Sequence, residues 1–302
     1  MAHVAPRPDR SLRRGIWSMV AAAALFTVMT AAVRQARQAL PTLDVMLWRV
    51  AFALPALLPF ALRGGLRVVS WRGIVLRSVL GFVAMVCFFT AARGLSVADL
   101  TLVSKLQPIW VALLAPRALG AGERVGRALW WALLLGLLGS GLIVGPELRV
   151  GNVHGLWALG ATLASAAAHV TVRALGRTDR PEVTAFGFQV VLLPLVLLAR
   201  TFWQGAPAAL PPTHLWWVLL LVGLTSAGAQ LLMSRAYALA PAPVVAGASY
   251  SAPLFAFVAD LVAFGEVPRP EALLGGALVL AGGALLLRRD DAPSEAHEPP
   301  AE

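Results

Sequence analysis

Of the 25 basic residues in this chain of 302, only Lys105 is a lysine; the rest are arginines. Lys105 stands about halfway along an apolar run, 96–116. An ammonium at the centre of a membrane helix costs roughly 2.5–3.5 kcal/mol on insertion scales. A charge kept at that cost usually faces a cavity or a partner. If the run is helical, Thr101 four residues earlier and Pro108 three residues later share its face, making a small, polar, locally broken surface. The chemistry on offer is attraction of a carboxylate or phosphate, or uptake and release of a proton. The competing uses are structural: an ion pair with Asp260, or a long stem that carries the charge back to the interface.

Other polar residues in apolar surroundings are candidates of the same kind. Arg49 lies one turn inside the second apolar run, with Asp44 five residues earlier as a partner near the surface; it serves either binding and gating or a stabilising pair. His169 shares a helical face with Thr162 and Ser165 and could shuttle a proton or simply pack. Ser226, Gln230, Met233 and Tyr237 fall on one face, and Gln230 needs hydrogen-bond partners there. Pro108 and Pro253 each remove a helical hydrogen bond and free a carbonyl, either for substrate or merely as a kink. Trp110 is mid-run and could face lipid. Glu123 and Glu266, at helix ends, suit the N-termini of the helices that follow them.

Several chemistries find no support. One cysteine, Cys87, can form neither an intrachain disulfide nor a paired thiolate metal site. The five histidines are scattered, without the spacing of a metal-binding helix. The glycine pairs Gly275-Gly276 and Gly282-Gly283 are not followed by the Lys-Ser/Thr of a phosphate loop, so they suit close helix packing. No catalytic residue, metal site or cofactor is expected. A Ser-His intramembrane enzyme built on Ser140 or on Ser165 and His169 is the alternative, and a non-transporting scaffold is another.

The elements that must position these residues follow from composition. Hydrophobic residues make up 59% of the chain and charged residues 13%, against about 25% charged in an average soluble domain. There are too few charges to cover a water-facing surface, and a bilayer removes the need for one. Mean hydropathy is +0.76. The net charge of +10 comes from arginines between apolar runs. That pattern suits membrane topology and lipid headgroups, not nucleic acid. Ten runs approach the roughly 20 residues a spanning helix needs: 16–33, 44–62, 73–92, 96–116, 128–145, 153–172, 183–200, 215–238, 243–264 and 271–287. Arg7 to Arg14 followed by an apolar stretch resembles a signal peptide. The stretch is too long, and Arg34 and Arg37 follow without a clear cleavage site, so it reads as the first span. With a cytoplasmic N-terminus, 17 arginines fall in inner segments, Arg77 among them, and 6 in outer ones. The positive-inside rule expects that bias and puts both termini in the cytoplasm. Trp17, Trp71, Trp130, Trp131, Trp203, Trp216 and Trp217 fall near run ends, where amphipathic rings favour the interface. The first 14 residues read as a cytoplasmic arm, and 289–302, acidic and proline-rich, as a disordered cytoplasmic tail.

The chain also repeats itself. With Pro108 placed on Pro253, Ala91 falls on Ala236, Ser104 on Ser249 and Lys105 on Tyr250. Tyr250 thereby becomes a candidate for the same cavity. Two extra residues in the first half then bring Gly122-Glu123 onto Gly265-Glu266, and Leu137, Gly139 and Leu142 onto Leu280, Gly282 and Leu285. Pro55 and Pro59 in the second run answer Pro194 in the seventh. Five spans is an odd number, so the second unit enters the membrane from the opposite side. Inverted repeats of this kind belong to transporters whose site lies between the halves.

Half-repeats of five helices that end in a proline, a Gly-Glu pair and a glycine-rich helix resemble the drug/metabolite transporter superfamily, EamA type. The matching stretches are Ala91–Leu142 and Ala236–Leu285, with Arg49 after Leu47-Trp48. The resemblance implies a central cavity lined by helices one to four and six to nine, with the fifth and tenth peripheral. The expectation is therefore an all-α polytopic membrane protein of ten transmembrane helices in two inverted five-helix repeats, 15–146 and 152–288. Its expected function is secondary transport of a small metabolite, amino-acid-like, organic-anionic or drug-like, across the cytoplasmic membrane by alternating access. Substrate would meet Lys105, Thr101, Arg49, Gln230, Tyr250 and His169, with Pro108 and Pro253 as helix breaks or gates. Membrane lipids are the other expected partners, a homodimer stays open, and no nucleic acid is expected.

Overall fold

The computed structural model describes residues 8–95, 97–144, 153–204, 210–256, 258 and 270–287. Among them every regular element is helical. The long helices are α1 (Pro8–Ala36), α2 (Thr42–Leu62), α3 (Trp71–Ala91), α6 (Arg127–Val144), α7 (Val153–Leu175), α8 (Pro181–Gln204), α9 (Trp216–Leu239) and α11 (Pro270–Leu287). Between them lie the shorter α4 (Val97–Ser104), α5 (Gln107–Leu119) and α10 (Ala242–Ala248). Six helices, α1, α2, α3, α7, α8 and α9, are long and apolar enough to cross a bilayer, and α6 and α11 are shorter apolar helices. This is a multi-pass membrane protein. Its outward surface is apolar: Phe202 is 83% exposed and Leu156 69%. Trp71, Trp131, Trp203 and Trp217 are exposed near helix ends, whereas Trp17, also exposed, lies more than two turns inside α1 because that helix starts at Pro8.

Two of the ten expected runs are not single helices. The run 96–116 is cut into α4 and α5, and Lys105 and Leu106 form the turn between them. Pro108 has no amide hydrogen for the carbonyl of Ser104, four residues earlier, and the helix is interrupted just before it. The backbone tightens instead, with Lys105 N donating to Leu102 O at 2.9 Å and Leu106 N to Val103 O at 3.0 Å. The run 243–264 breaks at the matching place. There α10 gives way to a 3-10 turn at Ser249–Ser251, four residues before Pro253, and helix resumes over 252–256. By contrast Pro55, Pro59 and Pro194 lie inside unbroken helices. The first helix begins at Pro8, so half of the expected arm is helical; proline suits a helix's first turn, and no breaker follows it. Asp260, Gly265-Glu266 and the expected tail lie outside the described residues.

Small residues let the helices approach. Around α1, α5, α7, α9 and α10 the core is rich in alanine: Ala22, Ala112, Ala166, Ala236 and Ala246 are buried. Gly139 on α6 and Gly275 on α11 face each other so closely that a Cβ on either would come within 2.5–2.6 Å of the other's carbonyl oxygen. The expected packing role therefore holds for Gly275, and for Gly282 against Ala132 O, whereas Gly283 faces open space. The pairings also survive exchange of the two halves. Helix α1 packs on α9 as α7 packs on α3, α5 packs on α7 as α10 packs on α1, and α2 meets α8, and α6 meets α11.

Candidate functional site

The two helix breaks meet around one cavity of about 240 Å³. The first break supplies Ser104, Lys105, Gln107 and Pro108, and the second supplies Ser249 and Ala252. Helix α1 adds Met19, Ala23 and Phe26, α7 adds His169, and α9 adds Gln230 and Met233. Ser104 and Ser249 stand four residues before their prolines. Their carbonyls lose a helical partner at the cavity, as the spacing of the two prolines implies.

Lys105 is half-buried, and among the described residues its ammonium has no hydrogen bond or ion pair. Its backbone is held firmly. Tyr250 Oη, from the equivalent position of the other half, donates to Lys105 O at 2.9 Å. Tyr250 is buried at 3% exposure and its ring lies over Gly136, where a Cβ would come within 2.4 Å of it. The tyrosine thus fixes the break and does not line the cavity. Thr101, one turn back on α4, is half-buried and also lies outside the lining.

His169 Nδ1 meets the side-chain amide of Gln107 across the cavity wall, and its ring lies 5.4 Å from that of Tyr237. Among the described residues no hydrogen bond joins it to Ser165 or Ser140, so no Ser-His dyad is assembled. Gln230 Oε1 accepts from Arg77 Nη2 at 2.9 Å, and Ser226 Oγ accepts from Arg49 Nε at 2.7 Å. Arg49 therefore does not pair with Asp44. Five residues along a helix turn about 140° away from the starting face, so Arg49 reaches α9 while Asp44 forms a buried ion pair with Arg200. Trp110 packs against the main core, not outward to lipid.

Three features escaped the sequence reading. Arg77 was expected as an inner topology charge, yet it is 4% exposed, with its guanidinium over the Phe188 ring at 3.3 Å. Its position six residues past the interfacial Trp71, inside an apolar run, is the signal that could have found it. Gln107 has a signal too, being a polar residue between Lys105 and Pro108. The third is Glu123. It does not serve the helix that follows it. Its carboxylate, 1% exposed, pairs with Arg173 Nε at 2.7 Å and Arg177 Nη2 at 3.3 Å, and accepts from Ala242 N at 2.6 Å. The cross-link runs from the first half to α7 and to the first turn of α10, and only the tertiary fold brings those groups to one point.

Among the described residues, the lining of the cavity at the paired helix breaks holds the Lys105 ammonium without a partner and no carboxylate. A model of the EamA-like transporter family matches residues 13–145 and again 154–288. The chain belongs to the EamA-like transporter family. Among its relatives is the pseudopaline exporter of Pseudomonas aeruginosa, 29% identical over 92% of this chain and 97% of that protein. A riboflavin transporter of Rhizobium johnstonii is 29% identical over 95% of each chain, and one of Vibrio cholerae is 27% identical over 91% and 93%. A solved crystal structure, 20% identical, shares the fold with a TM-score of 0.79 over 94% of this chain and 100% of its own. These relatives are transporters and not enzymes.

Proposed function

We propose that the protein is a secondary transporter that carries a small carboxylate-bearing metabolite across the cytoplasmic membrane by alternating access. The observation that carries this reading is the Lys105 ammonium, without a partner among the described residues, in a cavity that both helix breaks line. Binding a carboxylate there replaces lost hydration with a charge-assisted hydrogen bond. The expected solutes, amino-acid-like, organic-anionic or drug-like, share such a group. The relatives named for export or transport of small metabolites support the class of function. His169 and Gln230 would orient the solute, and Tyr250 would hold the break. Thr101 and Arg49 stand behind this first layer of contacts.

The exchange-symmetric pairings and the double family match support two five-span units of opposite orientation, ten spans in all, about 15–146 and 152–288. The arginine bias supports both termini in the cytoplasm. On that orientation Glu123 lies at the cytoplasmic end and ties the two halves together there. Opening toward the cytoplasm requires this cross-link to break, and Pro108 and Pro253 are the hinge points.

The test compares intracellular and extracellular metabolites, untargeted, in cells with and without the gene, and then with Lys105→Gln. A carboxylate-bearing compound should redistribute with the wild type, and the difference should vanish in the variant at equal membrane abundance. A wild-type profile from Lys105→Gln would refute the assignment of the site.

A further inference from the structure

Arg77 is a deeply buried guanidinium whose hydrogen-bond acceptor among the described residues, Gln230 Oε1, is neutral. Arg49 lies within electrostatic reach of it, and Arg49 also meets a neutral acceptor, Ser226 Oγ. Among the described residues, the carboxylates on the neighbouring helices are engaged elsewhere, Asp44 with Arg200 and Glu182 with Arg235 and Arg180. Burying one ion without a counter-ion costs several kcal/mol, and a second like charge beside it adds repulsion. Stacking on Phe188 offsets only part of this. Among the described residues the pair therefore keeps a positive charge that no carboxylate balances.

Gln230 connects this pair to the cavity. Its side chain lines the space around Lys105 and accepts from Arg77. Arg77 is also within electrostatic reach of His169, another lining residue. Arg77 therefore stands behind the part of the wall that Gln230 forms, and Arg49 bonds Ser226, one turn back along α9 from Gln230.

We propose that Arg49 and Arg77 form a second anion subsite, so that the transported solute carries two separated carboxylates, one on Lys105 and one on the guanidinium pair. This rests on the reading of Lys105 as the first anchor. The Gln230 amide, which already bonds Arg77, would swing aside or join in as the second carboxylate arrives. Guanidinium is suited to that subsite because its planar fork takes a carboxylate through two parallel hydrogen bonds. Lysine suits the first anchor, where a single charge on a flexible stem can follow the solute between two access states.

Thermal unfolding of the detergent-solubilised full chain, read by tryptophan fluorescence, gives apparent affinities for acetate, propionate, succinate, glutarate and adipate, with sodium chloride as the halide control. In the wild type at least one dicarboxylate should bind on the order of ten-fold tighter than the monocarboxylates, since a second charged contact contributes at least that much. Arg77→Gln and Arg49→Gln should each abolish this advantage, bringing the best dicarboxylate to within about two-fold of the monocarboxylates measured on the same variant. Lys105→Gln should weaken both series. Arg77→Lys keeps the charge and should retain part of the advantage, which covers the case in which Arg77→Gln does not fold. A dicarboxylate advantage that is absent from the wild type, or that survives both arginine-to-glutamine changes, overturns the proposal. So does chloride matching the best dicarboxylate, since the pair would then hold an inorganic ion. If monocarboxylates bind through Lys105 with no dicarboxylate advantage, only this inference falls. If no carboxylate binds, the Lys105 reading falls with it.

Discussion

Replacing Glu123 by alanine removes one carboxylate that serves three partners. Arg177 is 47% exposed at its side chain, so its share is screened and small. Arg173 is 16% exposed and keeps hydrogen bonds to Tyr237 O and Ala238 O, which softens its loss. The buried amide of Ala242 is left without its charged acceptor. Removing one side of a buried pair costs about 3–5 kcal/mol, and the partners that remain place Glu123→Ala near the lower end, about 3 kcal/mol. With an unfolding entropy of about 2.1 cal/mol/K per residue, this corresponds to a fall of roughly 5 °C in Tm for a chain of this length. Glu123→Gln keeps an acceptor for Ala242 N and should cost about 1–2 kcal/mol. The assay is thermal unfolding in detergent micelles, paired with a double-mutant cycle on Arg173→Met. Coupling between the two sites should exceed about 1 kcal/mol. A Tm for Glu123→Ala within about 1 °C of the wild type, or no coupling to Arg173, would show that this carboxylate does not tie the halves together.

Other changes probe other contacts. Gly275→Val should cost about 2 kcal/mol or more by forcing α6 and α11 apart, read as lost thermal stability, while Gly283→Ala, which meets open space, should be nearly neutral. Asp179 accepts from the amides of Val69 and Ser70 at 2.7 and 3.0 Å, just ahead of α3; Asp179→Ala should lower stability by about 1–2 kcal/mol in the same melt. Tyr250→Phe deletes the hydroxyl that holds the Lys105 carbonyl. It should cost about 1 kcal/mol in stability and slow transport more than it weakens solute binding, because the ammonium remains while the backbone that carries it loosens.

The helical, membrane-spanning character was legible because it depends on summed quantities. Apolar runs of bilayer length and scarce charge admit few other solutions. The missing amide hydrogen at Pro108 and Pro253 is a local covalent fact that marked where a break could fall, but Pro55, Pro59 and Pro194 lack the same hydrogen inside unbroken helices, so packing chose which prolines interrupt. Lys105 stood out for the same kind of reason, being the one basic residue of its type and deep in an apolar run. The interruption at Ser249–Ser251 and the one at Lys105–Leu106 answer each other at the spacing the repeat implied.

What the sequence by itself determined, then, is which segments are helical and where a helix could give way. Partner choice was decided only in the tertiary structure. Asp44 lies five residues from Arg49 but bonds Arg200, and Glu123 lies beside α6 but bonds the ends of α7 and α10. Tyr250 aligned with Lys105, yet it meets that residue's carbonyl and not the cavity. A side chain's partner depends on the helix face it leaves from and on which helix lies opposite. Composition and spacing constrain the first of these, and only packing settles the second. The buried guanidinium of Arg77 followed the same logic, since an arginine one helical turn nearer the interface would have been a topology signal and nothing more.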